Sequence, residues 1–441
     1  MSEPNQEPYE EVDFEESVGA QFVATFEEPI LKLRDDLRNA GRHMSHGNAK
    51  WLVGTYYRMQ HLQFLCGSQF RDQKLNATKE LMSRIVGDAS EITESMISGL
   101  ADETGLKEAK LTAAAAEGPE NLAAWLNKRP TKVDKRTVIW YFYEAHCNIV
   151  NIIRELMGDF TLQYRVGQWA RAQHGIGPVL STGFLTYFDP RNSKTPGVAR
   201  TAGAFWRFAG LDPSLKWPGT AGARTLLDNV MGNSKKLTEE MVAAISAATG
   251  QKCTRIIEVF ADGYVTNKGR CVKGRTGIQN WLAMKPWNGK LKAFCIYRFG
   301  ATQIKMQNME NNFYGRFMAA KTAELMNQND DLHFAEEAAR KLAEAKASKR
   351  PKTKALLDSM EEWEKSRLTK SHIGNRGRRV GVKMFVSHLA EVMAADMGLK
   401  FPNPFIFMQP GDNRPLSHVH RVTPPLWPGD YDGLPLARLY E

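Results

Sequence analysis

The sequence predicts a mostly α-helical protein of several domains, and three observations lead there. Apolar residues recur at i, i+3, i+4 and i+7 spacing in long runs toward both ends of the chain, which is the period of a helix with one buried face. Residues 1–165 carry no alternating run of the kind that makes a half-buried strand. Glycine and proline cluster from Gly167 to Gly222 and again from Gly263 to Gly289, so the middle of the chain is punctuated where the ends are not. The 441 residues are 42% hydrophobic and 24% charged, ordinary globular proportions that exclude wholesale disorder and a collagen- or silk-like fibre.

Taken in order, the first helix is expected over residues 49–74, where Leu52, Tyr56, Met59, Leu62 and Leu65 form a stripe with Arg58, His61 and Gln63 off it. A second amphipathic run covers 79–100, and the alanine-rich segment 101–117 continues it. Residues 138–157 are the most apolar helix of this half. Glu144, His146, Arg154 and Glu155 interrupt them, so they suit a core or partner-facing helix rather than a membrane span. Further on, Thr238-Glu239-Glu240 is a hydroxyl cap followed by acids in the first turn. That helix stops at Thr249-Gly250, and another follows over 253–262. The pair has the outline of a helix-turn-helix, which any αα-hairpin shares, and the plain hairpin is the expectation. Helices are expected at 331–349 and 378–397, the latter with Val382, Phe385, Val386, Leu389, Val392 and Met393 on one face. Eight of the twenty prolines fall in the last forty residues and predict an extended tail. The expected division is an acidic start (1–45), a helical domain (46–160), a central hairpin domain with a basic insertion (161–325), a helical domain (326–400) and the proline-rich tail (401–441).

Charge is distributed unevenly. The net value is +10, yet residues 252–305 alone carry eleven Lys and Arg against Glu258 and Asp262. Residues 367–383 carry six more and no acid, whereas residues 1–16 hold seven acids and no base. A charge run is ordinarily a solvated face. Here Trp281, Trp287, Tyr297 and Phe299 are interleaved with the larger run, a pattern that also suits nucleic acid. Arg378, Arg379 and Lys383 stand at the expected start of the last helix, where its dipole favours acids, which hints that they are held there for an anion. Five widely spaced cysteines without a CxxC read as reduced thiols. With no basic leader and no long uncharged apolar stretch, the expectation is a soluble, cytoplasmic protein.

The sharpest local pattern is Trp169 to Phe188, WARAQHGIGPVLSTGFLTYF. One helix ends at His174, Gly175-Ile176-Gly177 makes a turn, and a second helix opens on Pro178, where a missing N–H costs nothing. This is the pattern of a helix-hairpin-helix, in which glycines let the backbone approach a phosphate and the N–H groups of the second helix bind it. Gly-X-Gly turns also join helices that bind nothing.

The run GIGPVLSTGFLTYF (175–188), followed by FWRFAGLDP (205–213), resembles the carboxy-terminal helix-hairpin-helix domain of bridge-RNA-guided insertion-sequence transposases over residues 165–325. The chain is also similar, over most of 50–405, to a set of phage and archaeal proteins that share this domain. Those proteins have a YYxxQ segment (Tyr56 to Gln60 here), KPWN (Lys285 to Asn288) then Leu291-Lys292, NNFY (Asn311 to Tyr314) and a closing KMFVSHL helix (Lys383 to Leu389). The resemblance implies a DNA-binding protein of phage or mobile-element type, acting in a bacterial or archaeal host cell. The transposases add an RNase-H-like domain whose acids bind divalent metal, and a serine nucleophile in the hairpin domain. Residues 1–165 show no strand on which to build the former. Ser214 lies nearest the family's catalytic neighbourhood without aligning to the nucleophile, and a loop serine ordinarily serves as a cap or turn residue.

The expected function is therefore largely sequence-independent binding of double-stranded DNA, with structured RNA as an alternative partner and homo-oligomerisation open. The expected contacts are Arg171, Gly175, Ile176, Gly177, Pro178, Lys273, Arg275, Lys290, Lys292, Arg298, Arg376, Arg378, Arg379 and Lys383. Two rivals stand beside it. One is a transposase- or recombinase-like enzyme with Ser214 as nucleophile and a Mg²⁺ centre supplied elsewhere. The other is an assembly protein using the aromatic helix at 138–157 as an interface. No metal site or other cofactor is expected. His418 and His420, with His388 or His372, are the nearest to a ligand set, and no phosphate-binding loop or dinucleotide fingerprint is present.

Overall fold

The computed structural model describes residues 36, 38–129, 131–132, 137–266, 268–348, 351–402 and 424–426. Most of the acidic start and most of the proline-rich tail, His418 and His420 included, lie outside the described residues. What is described is mostly α-helical, with one two-stranded antiparallel pair (β1, Tyr264–Val265; β2, Cys271–Val272) as its only sheet. The chain divides into two units, Met1–Phe160 and Thr161–Glu441.

In the first unit, α1 (His46–Ile85) runs for 40 residues, about 60 Å at 1.5 Å per residue. Ser45 caps its start, accepting from the backbone N–H of Asn48. The expected helix at 49–74 is thus the middle of a longer one. The run expected over 79–100 breaks after Ile85 and resumes as α2 (Glu94–Thr104). Gly105 ends α2 in the left-handed conformation, so 101–117 also divides, with α3 at Glu108–Ala115. These helices and α4 (Pro119–Asn127) enclose a small core of Val86, Ile97, Leu100, Leu111, Leu122 and Leu126. The aromatic helix α5 (Val138–Leu162) runs back antiparallel along α1: Phe70 meets Trp140, Gln63 meets Cys147, and His46 meets Phe160. Among the described residues this unit has no strand, and hence no RNase-H-like sheet.

In the second unit, α6 (Arg165–Ala172) and α7 (Pro178–Tyr187) form the expected hairpin, and α8 (Ala202–Phe208) carries the Trp206-Arg207 segment. An insertion follows: α9 (Gly219–Met231), α10 (Glu239–Thr249), α11 (Cys253–Asp262), the β-pair and α12 (Gly274–Ala283). It has its own core, including Leu227, Ile245, Ile256, Val259 and Ile278. The chain then returns through α13 (Gly289–Ala293), a π-helical turn (Phe294–Gly300) and α14 (Ala301–Lys305). The remaining helices are α15 (Phe313–Asp330), α16 (Ala335–Ala347), α17 (Lys354–Glu364) and α18 (Lys370–Asp396). Helix α15 runs through position 325, so 161–325 and 326–400 lie within one unit.

The core of this unit is built around Phe385 of α18. Its ring lies 5.9 Å from Trp169, 4.6 Å from Phe184, 4.4 Å from Phe299 and 5.1 Å from Tyr314, one partner each from α6, α7, the π-turn and α15. The buried Trp169 needs a partner for its indole N–H, and the carbonyl of Pro425 in the tail accepts it at 2.9 Å. Helix α18 begins at Lys370, not at Arg378, with Thr369 as its cap. Arg378, Arg379 and Lys383 therefore stand well inside it, beyond the first turn where the helix dipole favours acids.

Candidate nucleic-acid interface

The second unit brings the two basic segments together. A groove of about 490 Å³ is lined by Trp217, by Lys285, Trp287, Lys292 and Tyr297 of the first segment, and by His372, Arg376 and Arg379 of the second. Local hydrogen bonds build it. Asn288 caps α13 through its side chain, while its backbone N–H donates to the Phe208 carbonyl at 2.9 Å, joining KPWN to the end of α8. The neighbouring Trp287 ring lies against Gly210. A side chain at Gly210 would meet that ring at 2.7 Å, and its φ of +66° is one that glycine adopts without strain. Trp206 donates its indole N–H to the Lys383 carbonyl at 3.1 Å, tying α8 to α18, and Trp217 donates to the Ala283 carbonyl at 2.9 Å.

The electrostatics of the groove are one-sided. Arg376 is paired with Glu337, and Lys383 has Asp212 nearby. Lys285, Lys292 and Arg379 make no ion pair among the described residues. Lys285 lies over the Trp217 ring at 4.8 Å and Lys292 over Trp287 at 4.5 Å, so the indole faces hold these ammonium groups in place. Burial, followed by the charges of Arg379 and Lys285, holds the Lys292 ammonium below the ordinary lysine pKa. Burial also lowers Lys383, with Asp212 opposing and Arg379 reinforcing the shift. Half-buried cations with further cations beside them form a site that an anion would relieve.

The ten basic residues among the expected contacts separate into four groups. Lys292, Arg376 and Arg379 line the groove, with Lys383 beside it over the Trp206 ring at 4.9 Å. Lys290 and Arg298 are exposed on α13 and the π-turn. Lys273 and Arg275 belong to the insertion, where Arg275 is engaged by Asp228 and the Gly232 carbonyl. Arg171 and Arg378 are partly buried, each with a guanidinium nitrogen that finds no hydrogen-bond partner among the described residues. Burial pulls the Arg171 pKa down. Sequence reasoning left Lys285, Trp217, Trp287 and Tyr297 out of the contact set. The aromatic interleaving of the first basic segment pointed to Trp287 and Tyr297, and no local signal pointed to Trp217.

At the hairpin, Gly175 adopts φ +75° and packs toward Gln303, Met306 and Thr302. Ile176 is buried and Gly177 is exposed. The Gln303 amide donates to the His174 carbonyl at 2.8 Å, so α14 supports the turn from behind. Gly177, at φ −87°, has open space where a side chain would stand. Ser214 donates both its backbone N–H and its hydroxyl to Oδ1 of Asp212, at 2.9 and 2.8 Å, which is the geometry of a turn residue. Buried His388 meets the Tyr314 hydroxyl at 2.9 Å. Among the described residues no group of three or more His, Cys, Asp or Glu could hold a metal ion, and no helix is long and apolar enough to cross a membrane.

Together these features define a class: a mostly α-helical protein with a cationic, aromatic groove assembled from distant parts of one unit. No protein-family model matches the chain, and no curated protein or solved structure matches it.

Proposed function

We propose that this chain is a nucleic-acid-binding protein that engages double-stranded DNA chiefly through its phosphates, largely independent of sequence. The observation that carries this reading is the convergence of two basic segments, remote in sequence, on one groove where Lys285, Lys292 and Arg379 make no ion pair among the described residues. The hairpin supports it. Gly177 leaves the start of α7 open, where backbone N–H groups and the positive end of the dipole favour a phosphate.

The test is the salt dependence of binding to a blunt duplex. Each phosphate neutralised adds about 0.9 to the slope of log K against log salt, so three groove cations predict a slope of about −2.7 or steeper. Arg379→Gln should flatten it by about one. Gly177→Val should fold normally, because the position has room and an ordinary φ, and should weaken binding to all duplexes alike. A slope near zero would refute the reading.

A second reading, self-assembly through the amino-terminal unit, is favoured by the exposure of Val138, Tyr141 and Phe142 on α5. Light scattering at increasing protein concentration tests it, with a concentration-independent monomer as the result that removes it.

A further inference from the structure

We infer that the groove takes an unpaired nucleotide, its base against the exposed rings of Tyr297 and Trp217 and its phosphates against Lys285, Lys292 and Arg379. This rests on the nucleic-acid reading above and adds to it which form of nucleic acid the groove selects. Two large aromatic side chains are exposed within one cavity: Tyr297 is 68% exposed and Trp217 43%. Neither ring contributes to the Phe385 core. The Trp217 indole N–H is fixed on the Ala283 carbonyl. Tyr297 projects from a π-helical turn whose neighbours Phe294, Cys295, Phe299 and Gly300 are buried, and such turns recur at functional sites.

An exposed aromatic surface flanked by cations is the chemistry that stacks a base while tracking its backbone. Every base has a flat face, so stacking of this kind is tolerant of sequence. Duplex bases present only their edges in the grooves, and a base must leave the stack before its face can meet a ring. The volume, about 490 Å³, falls within the range of pockets that enclose a small ligand, about 300–1,000 Å³. Phosphate contacts alone would serve a duplex, and the groove cations and the hairpin offer those. The exposed rings are what a duplex would leave unused.

Fluorescence anisotropy of the full chain against three labelled probes tests this: oligo(dT) and oligo(rU) of about 16 nucleotides, and a blunt duplex. Tyr297→Ala should weaken oligonucleotide binding at least about fivefold, the lower end for loss of one base–aromatic stack, and weaken duplex binding by clearly less, because the groove cations and the hairpin remain. Tyr297→Phe, which keeps the ring, should restore wild-type affinity. Gly177→Val should do the reverse, weakening the duplex more than the oligonucleotide. A preference between oligo(dT) and oligo(rU) identifies the sugar, and either preference fits the inference. Equal losses on duplex and oligonucleotide, or no loss on either, would overturn it. If the wild type binds duplex but neither oligonucleotide, this inference fails while the proposed function stands. If it binds no probe at low salt, both fail.

Discussion

Helices α5 and α18 are similar in length, 25 and 27 residues, and differ in how much of their apolar surface they bury. Helix α5 is the more apolar by sequence, yet Val138, Tyr141 and Phe142 are 71%, 65% and 55% exposed. Helix α18 carries Lys370, Arg376, Arg378, Arg379 and Lys383 in its first half, yet Phe385, Val386 and Leu389 are fully buried. The difference lies in the neighbours. Phe70 of α1 covers the side of α5 that carries Trp140 and Tyr143, and Tyr141 and Phe142 fall outside that seam. Helix α18 is approached by α6, α8, the π-turn and α15. Gly377 and Gly381 admit α15, because a side chain at either would overlap Thr322 or Met318. Burial thus follows from how many elements present a complementary surface, and only weakly from a helix's own composition.

The comparison can be broken most directly at Phe385. Phe385→Ala removes ring contacts with four elements and should cost about 3–5 kcal/mol, measured by urea denaturation. A loss below about 1 kcal/mol would mean that α18 is not the axis of its unit.

A smaller effect, of opposite sign, is expected where α18 turns its basic side to the groove. Charging Lys292 is disfavoured in the folded state by burial and by Arg379 and Lys285, and that depression disappears on unfolding. Its unfavourable contribution is therefore present at neutral pH and is relieved as pH rises through the lowered folded pKa toward the unfolded value. Lys292→Met should stabilise the protein by about 0.5 kcal/mol after solvent screening. The gap to wild type should narrow in alkaline buffer, and DNA binding should weaken. Thermal melts at neutral and alkaline pH check the sign, and destabilisation by this substitution would show that Lys292 is a structural rather than a ligand-facing cation.

The smallest effect belongs to α5. Tyr141→Ser, at an exposed position, should change stability by no more than about 0.5 kcal/mol. A cost of several kcal/mol would show that the side chain is covered in solution, by another copy or by another part of the chain.

Much of the local structure was legible in the sequence. Thr238 caps its helix as its hydroxyl and the following acids predicted, and the helix ends at Gly250, which adopts φ +68°. The Gly175–Pro178 turn joins two helices as its glycines and proline implied. The start of α18 was not legible. Gly374 and Gly377 stand in a polar, basic stretch just before the expected start, whereas Gly377, like Gly381, is a place where α15 comes close. The long basic segment at 252–305 was legible as charge, and Lys273, Arg275, Lys290, Lys292 and Arg298 within it were expected contacts, but the way it divides was not legible. Its first half folds into the insertion with Arg275 engaged by Asp228, and only the part from Lys285 to Tyr297 reaches the groove.

Periodicity, caps and turn residues act over a few positions, so the sequence by itself determined the helical class, most of the helices and the hairpin turn. Which cations face an open groove and which are neutralised or buried was decided by the tertiary structure alone. Ion pairing and desolvation depend on neighbours that lie far away along the chain: Glu337 for Arg376, Asp228 for Arg275, and Trp217 for Lys285.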